Sequence, residues 1–198
     1  MVFSRMNQTA LIALALAALS ASCIDMKPQV APVVRWISVS DVGGADTTTM
    51  SPPKQPRLML GRISSSDAIT DVFITRTSAF EITYADLTRW VEPPDQAVRR
   101  ALEEELFRRR GFERASAGSY RTLEVEVVAF EESLQPRREA VVAIIAHVVD
   151  RDSGATVVDR RIEGRAPVDG DDPALVARGI SIALESVVTE LSDLMAVR

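Results

Sequence analysis

The chain contains one cysteine, Cys23, and one histidine, His147, and these side chains have the greatest potential for nucleophilic or metal chemistry. A nucleophile–base dyad would need a hydroxyl close to His147, and no signature such as G-x-S-x-G supplies one. One histidine and one cysteine leave only carboxylates as metal ligands. Residues 169–172 (Asp-Gly-Asp-Asp) could attract a hard cation, but their spacing is not that of a Ca²⁺ loop. Asp172 before Pro173 is instead typical of a helix N-cap. The sequence therefore predicts no enzyme, no metal site and no cofactor.

His147 interrupts the most apolar segment of the chain, residues 140–149. If this segment is a strand, alternation places His147 on the same face as four apolar residues: Val141, Ala143, Ile145 and Val149. We expect a hydrogen-bonded histidine in the core or at a protein–protein contact.

Cys23 follows a segment with the parts of a secretory signal peptide. Arg5 gives a basic start, residues 10–19 are apolar, and residues 20–22 (Ser-Ala-Ser) form a small-residue site. The apolar run is shorter than the roughly 20 residues that span a bilayer. A cysteine directly after such a site resembles the lipobox of a bacterial lipoprotein, whose thiol receives a diacylglycerol before cleavage. We expect a signal peptide at 1–22 and lipidation at Cys23 with fatty acyl chains such as palmitate; the alternative is an ordinary signal peptide with a chance cysteine.

Charge and length restrict the mature chain further. The whole sequence has a formal net charge of −5, and removal of residues 1–22, in which Arg5 is the only charged residue, gives −6. A mildly acidic chain without a basic stripe is not expected to bind nucleic acid. The remaining length of about 176 residues corresponds to a single domain. We expect a lipidated tether at 23–34 and one periplasmic domain at 35–198, attached to the membrane through the lipid alone.

The pattern of residues predicts an α+β fold. Residues rich in β-branched and aromatic side chains indicate strands at 33–39, 57–63, 72–77 and 80–84, and the Gly- and Pro-containing segment 41–56 indicates a loop. Later strands are predicted at 123–131, at 140–149 as a central strand covered on both faces, and at 156–163. Two amphipathic helices are expected to pack on one face of this largely antiparallel sheet.

The two helices are predicted at 94–110 and 173–195. In the first, Glu104–Arg108 and Glu105–Arg109 are i,i+4 pairs, and Gly111 supplies a left-handed stop. We interpret the arginine run 108–110 as a complement to the helix dipole on a solvated face.

Residues 84–93 carry the most distinctive motif of the chain, Tyr-Ala-Asp-Leu-Thr-Arg-Trp-Val-Glu-Pro. This motif resembles the Tyr-x-x-x-x-Arg-Trp-Ala-Glu-Pro segment of the ABC-type transport auxiliary lipoproteins, the PqiC-like family. The resemblance extends to three flanking segments, 72–76, 98–106 and 123–131.

The resemblance implies a non-catalytic lipoprotein that works with an MCE-domain protein and an ABC transporter to move lipid between membranes, and that forms a homo-oligomer. Residue 24 is Ile rather than the Asp that resembles an inner-membrane retention signal, so we expect an outer-membrane protein that faces the periplasm. The alternative is another lipoprotein scaffold, such as an outer-membrane assembly subunit or an activator of cell-wall synthesis.

Within the motif, Arg89, Trp90, Glu92 and Pro93 are the candidate partner-binding residues, together with His147. Trp90 could fill the core beneath the first helix or anchor a partner. Arg89 and Glu92 could pair, although we expect two charges on a loop to stay solvated. Pro93 ends the strand and prepares the helix.

Overall fold

The computed structural model describes residues 33–40 and 57–196, which fall within one compact unit. Eight strands lie in these residues: β1 (Arg35–Ile37), β2 (Arg57–Ser65), β3 (Val72–Ser78), β4 (Glu81–Trp90), β5 (Glu113–Arg114), β6 (Arg121–Ser133), β7 (Glu139–Asp150) and β8 (Thr156–Pro167). Two α-helices lie there as well, α1 (Pro94–Glu103), which continues as a π-helical segment (Glu104–Arg109), and α2 (Pro173–Ala196). The predicted signal peptide, Cys23 and the predicted loop 41–56 lie outside the described residues.

Strand β6 is the centre of a mixed sheet that is mostly antiparallel. Its whole length pairs with β7 in antiparallel orientation, and β7 pairs with β8 in the same way. The other edge of β6 pairs in parallel with β2 along its first half and with β3 at its last two residues. Beyond β3 lie β4 and then β1, whereas β5 lies beside β2. Among the described strands, β8 pairs only with β7. The predicted α+β class is confirmed.

Both helices pack on one face of this sheet, as the apolar patterns predict. Alternate residues of β6, such as Leu123, Val125 and Val127, share a buried cluster with the stripes of α1 and α2. At Gly164 of β8, helix α2 comes so close that an added Cβ would lie 2.2 Å from the carbonyl oxygen of Ala183. Glycine is required there because α2 occupies the space of any side chain.

Among the differences from the sequence prediction, three concern β1, β4 and β7. Strand β1 is shorter than predicted, and β4 continues to Trp90 instead of ending at Tyr84. The third difference concerns β7, which is buried on both faces only in its first half, because Ile145 is 39% exposed. Gly111 ends the first helix with a φ of 72°, as predicted.

Candidate functional site

The Arg-Trp-x-Glu-Pro motif begins in a bulge of β4. Tyr84 pairs with Ile74 of β3 and Arg89 pairs with Val72, so residues 85–88 stand opposite Phe73 alone. The Nη1 of Arg89 donates to the carbonyl oxygens of Ala85 at 2.8 Å and of Thr88 at 3.0 Å. Arg89 is therefore a strand residue that binds the backbone of the bulge, and the prediction of a solvated loop arginine was wrong.

Trp90 belongs to the core. It is 2% exposed, its ring is stacked on Phe73 with centroids 4.6 Å apart, and it meets Phe130 edge to face at 5.2 Å. Its backbone N–H donates to the carbonyl oxygen of Asp71 at 2.7 Å. Of the two alternatives for Trp90, the structure supports the core, because a side chain this deeply buried presents no surface to a partner.

Glu92 and Pro93 connect β4 to the first helix. A carboxylate oxygen of Glu92 accepts from Nε of Arg100 at 3.1 Å, and Nη2 of Arg100 donates to the carbonyl oxygen of Val39 at 3.1 Å. Pro93 occupies the N-cap position, and its carbonyl oxygen accepts from the N–H groups of Gln96 and Ala97 at 3.0 Å. The motif is thus a structural joint between β1, β4 and α1. The sequence suggested that Arg89 and Glu92 could pair with each other. Instead, Arg89 binds the backbone of the bulge and Glu92 binds Arg100.

His147 lies on the sheet face opposite the helices, half-exposed, with Glu124 of β6 and Asp159 of β8 as its cross-strand neighbours. Its Nδ1 is 3.9 Å from Oδ1 of Asp159. Of the two predicted alternatives for His147, this exposure excludes the core, and the protein–protein contact stays a prediction; the predicted strand face is correct. We call the surface formed by six exposed or half-exposed residues the outer face: Glu124, Glu126, Ile145, His147, Asp159 and Arg161. A shallow groove of about 580 Å³ along β2 and β6 reaches Ile145 and His147.

Beyond the outer face, the half of the same sheet surface that contains Glu139, Glu163 and Arg165 is covered by charged side chains. Ala129, Val141 and Ala143 form a small buried cluster there. Ion pairs lie beside this cluster, including Arg165 with Glu163 at 2.7 Å and with Glu139 at 3.3 Å. Long charged side chains cover apolar surface with their stems in this way. Within strands β6, β7 and β8, the large apolar side chain that stays exposed is Ile145.

Arg137 and Arg165 also determine the ionisation of Glu139. The carboxylate of Glu139 accepts a hydrogen bond from Arg137 at 2.6 Å, and this contact, with a second from Arg165, holds the pKa of Glu139 below its ordinary value although burial opposes the shift. The pKa of Arg165 is raised, chiefly by its hydrogen bond to Glu163 and to a smaller extent by the one to Glu139.

A buried carboxylate that the sequence interpretation missed joins the π-helical segment to α2. Glu105 is buried, and it accepts from Nε of Arg110 at 2.8 Å and from Oγ of Ser192 at 3.2 Å. The bond to Glu105 raises the pKa of Arg110, which also pairs with Asp193 at 2.8 Å. Both predicted i,i+4 pairs are present, but the run 108–110 is not simply solvated. The sequence contained a signal of this burial, because Glu105 lies three residues after Leu102 and directly before Leu106, on the apolar stripe of the helix.

The acidic run 169–172 serves as a helix cap. Oδ1 of Asp172 accepts from the backbone N–H of Ala174 at 3.0 Å and from Arg35 at 3.1 Å, and the bond to Ala174 is the main reason that the pKa of Asp172 is lowered. Within residues 33–40 and 57–196, no group of three or more His, Cys, Asp or Glu side chains is arranged to hold a metal ion. In the same ranges, neither helix is long and apolar enough to cross a membrane.

Comparison with known proteins decides the family. The family model described as the ABC-type transport auxiliary lipoprotein component matches residues 41–192. The chain belongs to this family. The match includes the whole motif 84–93 together with β2–β8 and most of α2. It therefore covers most of the described fold as well as the motif around Trp90.

Solved structures agree with this fold. Protein XCC0632 from Xanthomonas campestris has a TM-score of 0.63 at 19% identity, covering 81% of this chain and 90% of that one. An uncharacterized protein has a TM-score of 0.60 at 15% identity, with 81% and 97% covered. The hypothetical protein CT253 from Chlamydia trachomatis has a TM-score of 0.50 at 6% identity, with 70% and 94% covered. At these identities the likeness is one of fold. No curated protein matches the chain.

Proposed function

We propose that this chain is an outer-membrane lipoprotein, anchored through Cys23, that serves as a non-catalytic accessory of an MCE/ABC-type system for lipid transport between membranes. The family match carries this proposal, because the family comprises auxiliary components of ABC-type transport. The outer face adds physical support, since it combines an open apolar residue, Ile145, with surrounding charged side chains.

The outer face fits a contact between protein chains. Ile145 and His147 lie at its centre, and Glu124, Asp159 and Arg161 surround them. A buried apolar centre with a polar rim is the usual anatomy of a protein–protein interface. We assign this face to contacts between copies in a symmetric oligomer, which then presents several copies to the MCE partner.

Paired substitutions test the assembly. Ile145→Arg places a charge in the centre of the proposed interface, and Ile182→Arg places the same charge at an isoleucine of equal exposure, 39% against 40%, on the solvent side of α2. Sedimentation should show that Ile145→Arg dissociates the oligomer and that Ile182→Arg leaves it intact. A wild-type chain that stays monomeric at high concentration, or equal behaviour of both variants, would refute this assignment.

Co-purification tests the transport role. The full-length lipoprotein should retain an MCE-domain protein together with an ABC permease. Retention of an envelope β-barrel or a peptidoglycan synthase instead would support the alternative scaffold functions and exclude the proposal.

The anchor and the destination membrane have separate tests. Mass spectrometry of membrane-extracted protein should find a mature chain that begins at acylated Cys23, and density-gradient fractionation should place it with outer-membrane markers. A periplasmic form with a free thiol would remove the anchor, and co-migration with inner-membrane markers would contradict the sorting.

A further inference from the structure

Two hairpins meet at one end of the sheet. The connection between β3 and β4 contains Phe80, and the connection between β6 and β7 contains residues 134–138. They are adjacent because β3 and β6 run in parallel with Thr75 opposite Glu132, and because the N–H of Leu134 donates to the carbonyl oxygen of Arg76 at 3.0 Å. We call the surface formed by five of these residues the hairpin end: Arg76, Phe80, Leu134, Arg137 and Arg138.

The tips of this end are apolar. Phe80 is 100% exposed, so its whole ring lies in solvent, and Leu134 on the neighbouring hairpin is partly exposed. A fully exposed aromatic ring loses the favourable transfer free energy that burial would give, which is about 1.5–3 kcal/mol for a Phe side chain. A hairpin tip therefore holds an apolar group that nothing in the described residues covers.

Beneath these tips, buried carboxylates are covered by arginines. Glu131, Glu132 and Glu139 are buried, and they pair with Arg76, Arg138 and Arg137 respectively. The carboxylates lie inside and the guanidinium groups lie outside; the Arg137 side chain is 79% exposed although it binds Glu139. A guanidinium has five N–H donors, so each arginine keeps donors for a further acceptor. Arginine matches phosphate oxygens particularly well.

The N-terminal end of β1 is directed toward this same end. Strand β1 runs parallel to β4, with Arg35 opposite Thr88, and β4 starts at Glu81, next to Phe80. Arg35 also binds Asp172, in the connection where the N–H of Val168 donates to the carbonyl oxygen of Arg138 at 3.2 Å. The ten peptide steps between Cys23 and Val33 reach at most about 36 Å, since an extended chain spans at most about 3.6 Å per residue.

We propose that the hairpin end contacts the bilayer that holds the anchor, with Phe80 and Leu134 entering the interfacial region and the arginines binding anionic headgroup phosphates. The proposal rests on the proposed function only in taking Cys23 as the lipid anchor. Aromatic side chains favour the membrane interface, and basic residues near an anionic surface strengthen binding. Because a short tether keeps the hairpin end close to the bilayer, a few contacts are enough to hold this surface against it.

Site-specific fluorescence on the full lipidated protein tests the contact. Because acylation blocks Cys23, an added cysteine is the only free thiol, and Leu134→Cys can carry an environment-sensitive dye. Ala155→Cys carries the same dye on the β7–β8 hairpin, at the other end of the sheet. In vesicles of phosphatidylethanolamine and phosphatidylglycerol with a nitroxide-labelled lipid, the dye at 134 should be quenched and the dye at 155 should not.

Second substitutions identify the groups responsible. Phe80→Ser and Arg137→Gln should each reduce the quenching at 134, and Arg137→Gln should weaken the contact about fivefold, the weight of one arginine near an anionic surface. Val91→Ser, at an exposed apolar residue beyond the other end of β4, should leave it unchanged. Equal quenching at 134 and 155, or none at 134 in acylated protein, would overturn the proposal. The intact mass of the same sample reports the acylation separately, so failure of the anchor and failure of the contact are distinguishable.

Discussion

Tyr84 and Arg89 mark the two ends of a bulge in β4. They pair with Ile74 and Val72, which are separated on β3 by Phe73 alone. Arg89 holds the two carbonyl oxygens of the bulge, and the hydroxyl of Tyr84 donates to the carbonyl oxygen of Ala68 at 3.3 Å. The spacing Tyr-x-x-x-x-Arg-Trp is therefore the length of this bulge, and it determines which face of β4 receives Trp90. β-Bulges commonly redirect side chains in this manner.

Removal of the Arg89 side chain should destabilise the bulge. In Arg89→Met the carbonyl oxygens of Ala85 and Thr88 lose a charged donor, and we expect a loss of about 1 kcal/mol or more in the free energy of unfolding. Urea denaturation measures the loss, and hydrogen exchange should show weaker protection at residues 85–89. Arg62→Met, at an exposed arginine of β2, is the matched control. Equal stability of the two variants would show that Arg89 has no such role.

Substitution of Trp90 should affect folding before assembly. Trp90→Ala removes a ring packed between Phe73 and Phe130, and we expect a cost of about 3–5 kcal/mol. Trp36→Ala, at a tryptophan that is 61% exposed, should change stability by about 0.5 kcal/mol or less. Circular dichroism during urea denaturation compares them. A Trp90→Ala variant of normal stability that fails only to assemble would contradict the burial of this ring.

Gly164 should not tolerate alanine. The added Cβ would lie 2.2 Å from the carbonyl oxygen of Ala183, which belongs to the helix backbone, so α2 must move away from β8. We expect Gly164→Ala to cost about 1–3 kcal/mol, the usual range for overpacking. Arg160→Ala, at an exposed position of the same strand, is the control. A melting temperature of Gly164→Ala equal to that of the control would disprove the close approach.

Acid should unfold the domain partly through Glu139. Its pKa is lowered in the folded protein, so its contribution to stability is complete above the ordinary value of 4.5 and is lost as the pH falls through the lower folded value. Glu139→Gln should reduce the loss of stability in acid. Arg137→Gln should move that loss to higher pH, because Arg137 is the main cause of the lowered pKa of Glu139. Free energies of unfolding between pH 7 and 3 measure both effects. Identical profiles for wild type and Glu139→Gln would refute the linkage.

The regular parts of the fold followed from sequence patterns. Alternation in β6 placed Leu123, Val125 and Val127 inward, and the acid before Pro173 gave the correct start of α2. These predictions succeed because each depends on a local period or a local hydrogen bond.

The parts that were missed depend on contacts between distant segments. The length of β4 is set by pairing with β1 and β3, which a window around Tyr84 does not contain. The π-helical turn aligns Glu105 with Arg110, a spacing that ordinary helix rules do not consider, and burial of Glu105 requires Ser192 of α2. Exposure of His147 depends on which sheet face the helices cover, and the strand's composition does not specify that.

One edge of β8 pairs with no other strand of the described residues, and this has a consequence for how the protein behaves when its copies are crowded. A membrane-attached protein diffuses in two dimensions and meets its own copies far more often than a dissolved one does. An edge strand of this length could then recruit the same strand of a neighbour and start fibrillar aggregation. Strand β8 carries a nearly continuous series of exposed charged side chains: Asp159, Arg160, Arg161, Glu163 and Arg165. Their hydration opposes such pairing, so the copies can be concentrated on a surface without adding β8 of one copy, edge to edge, to β8 of the next.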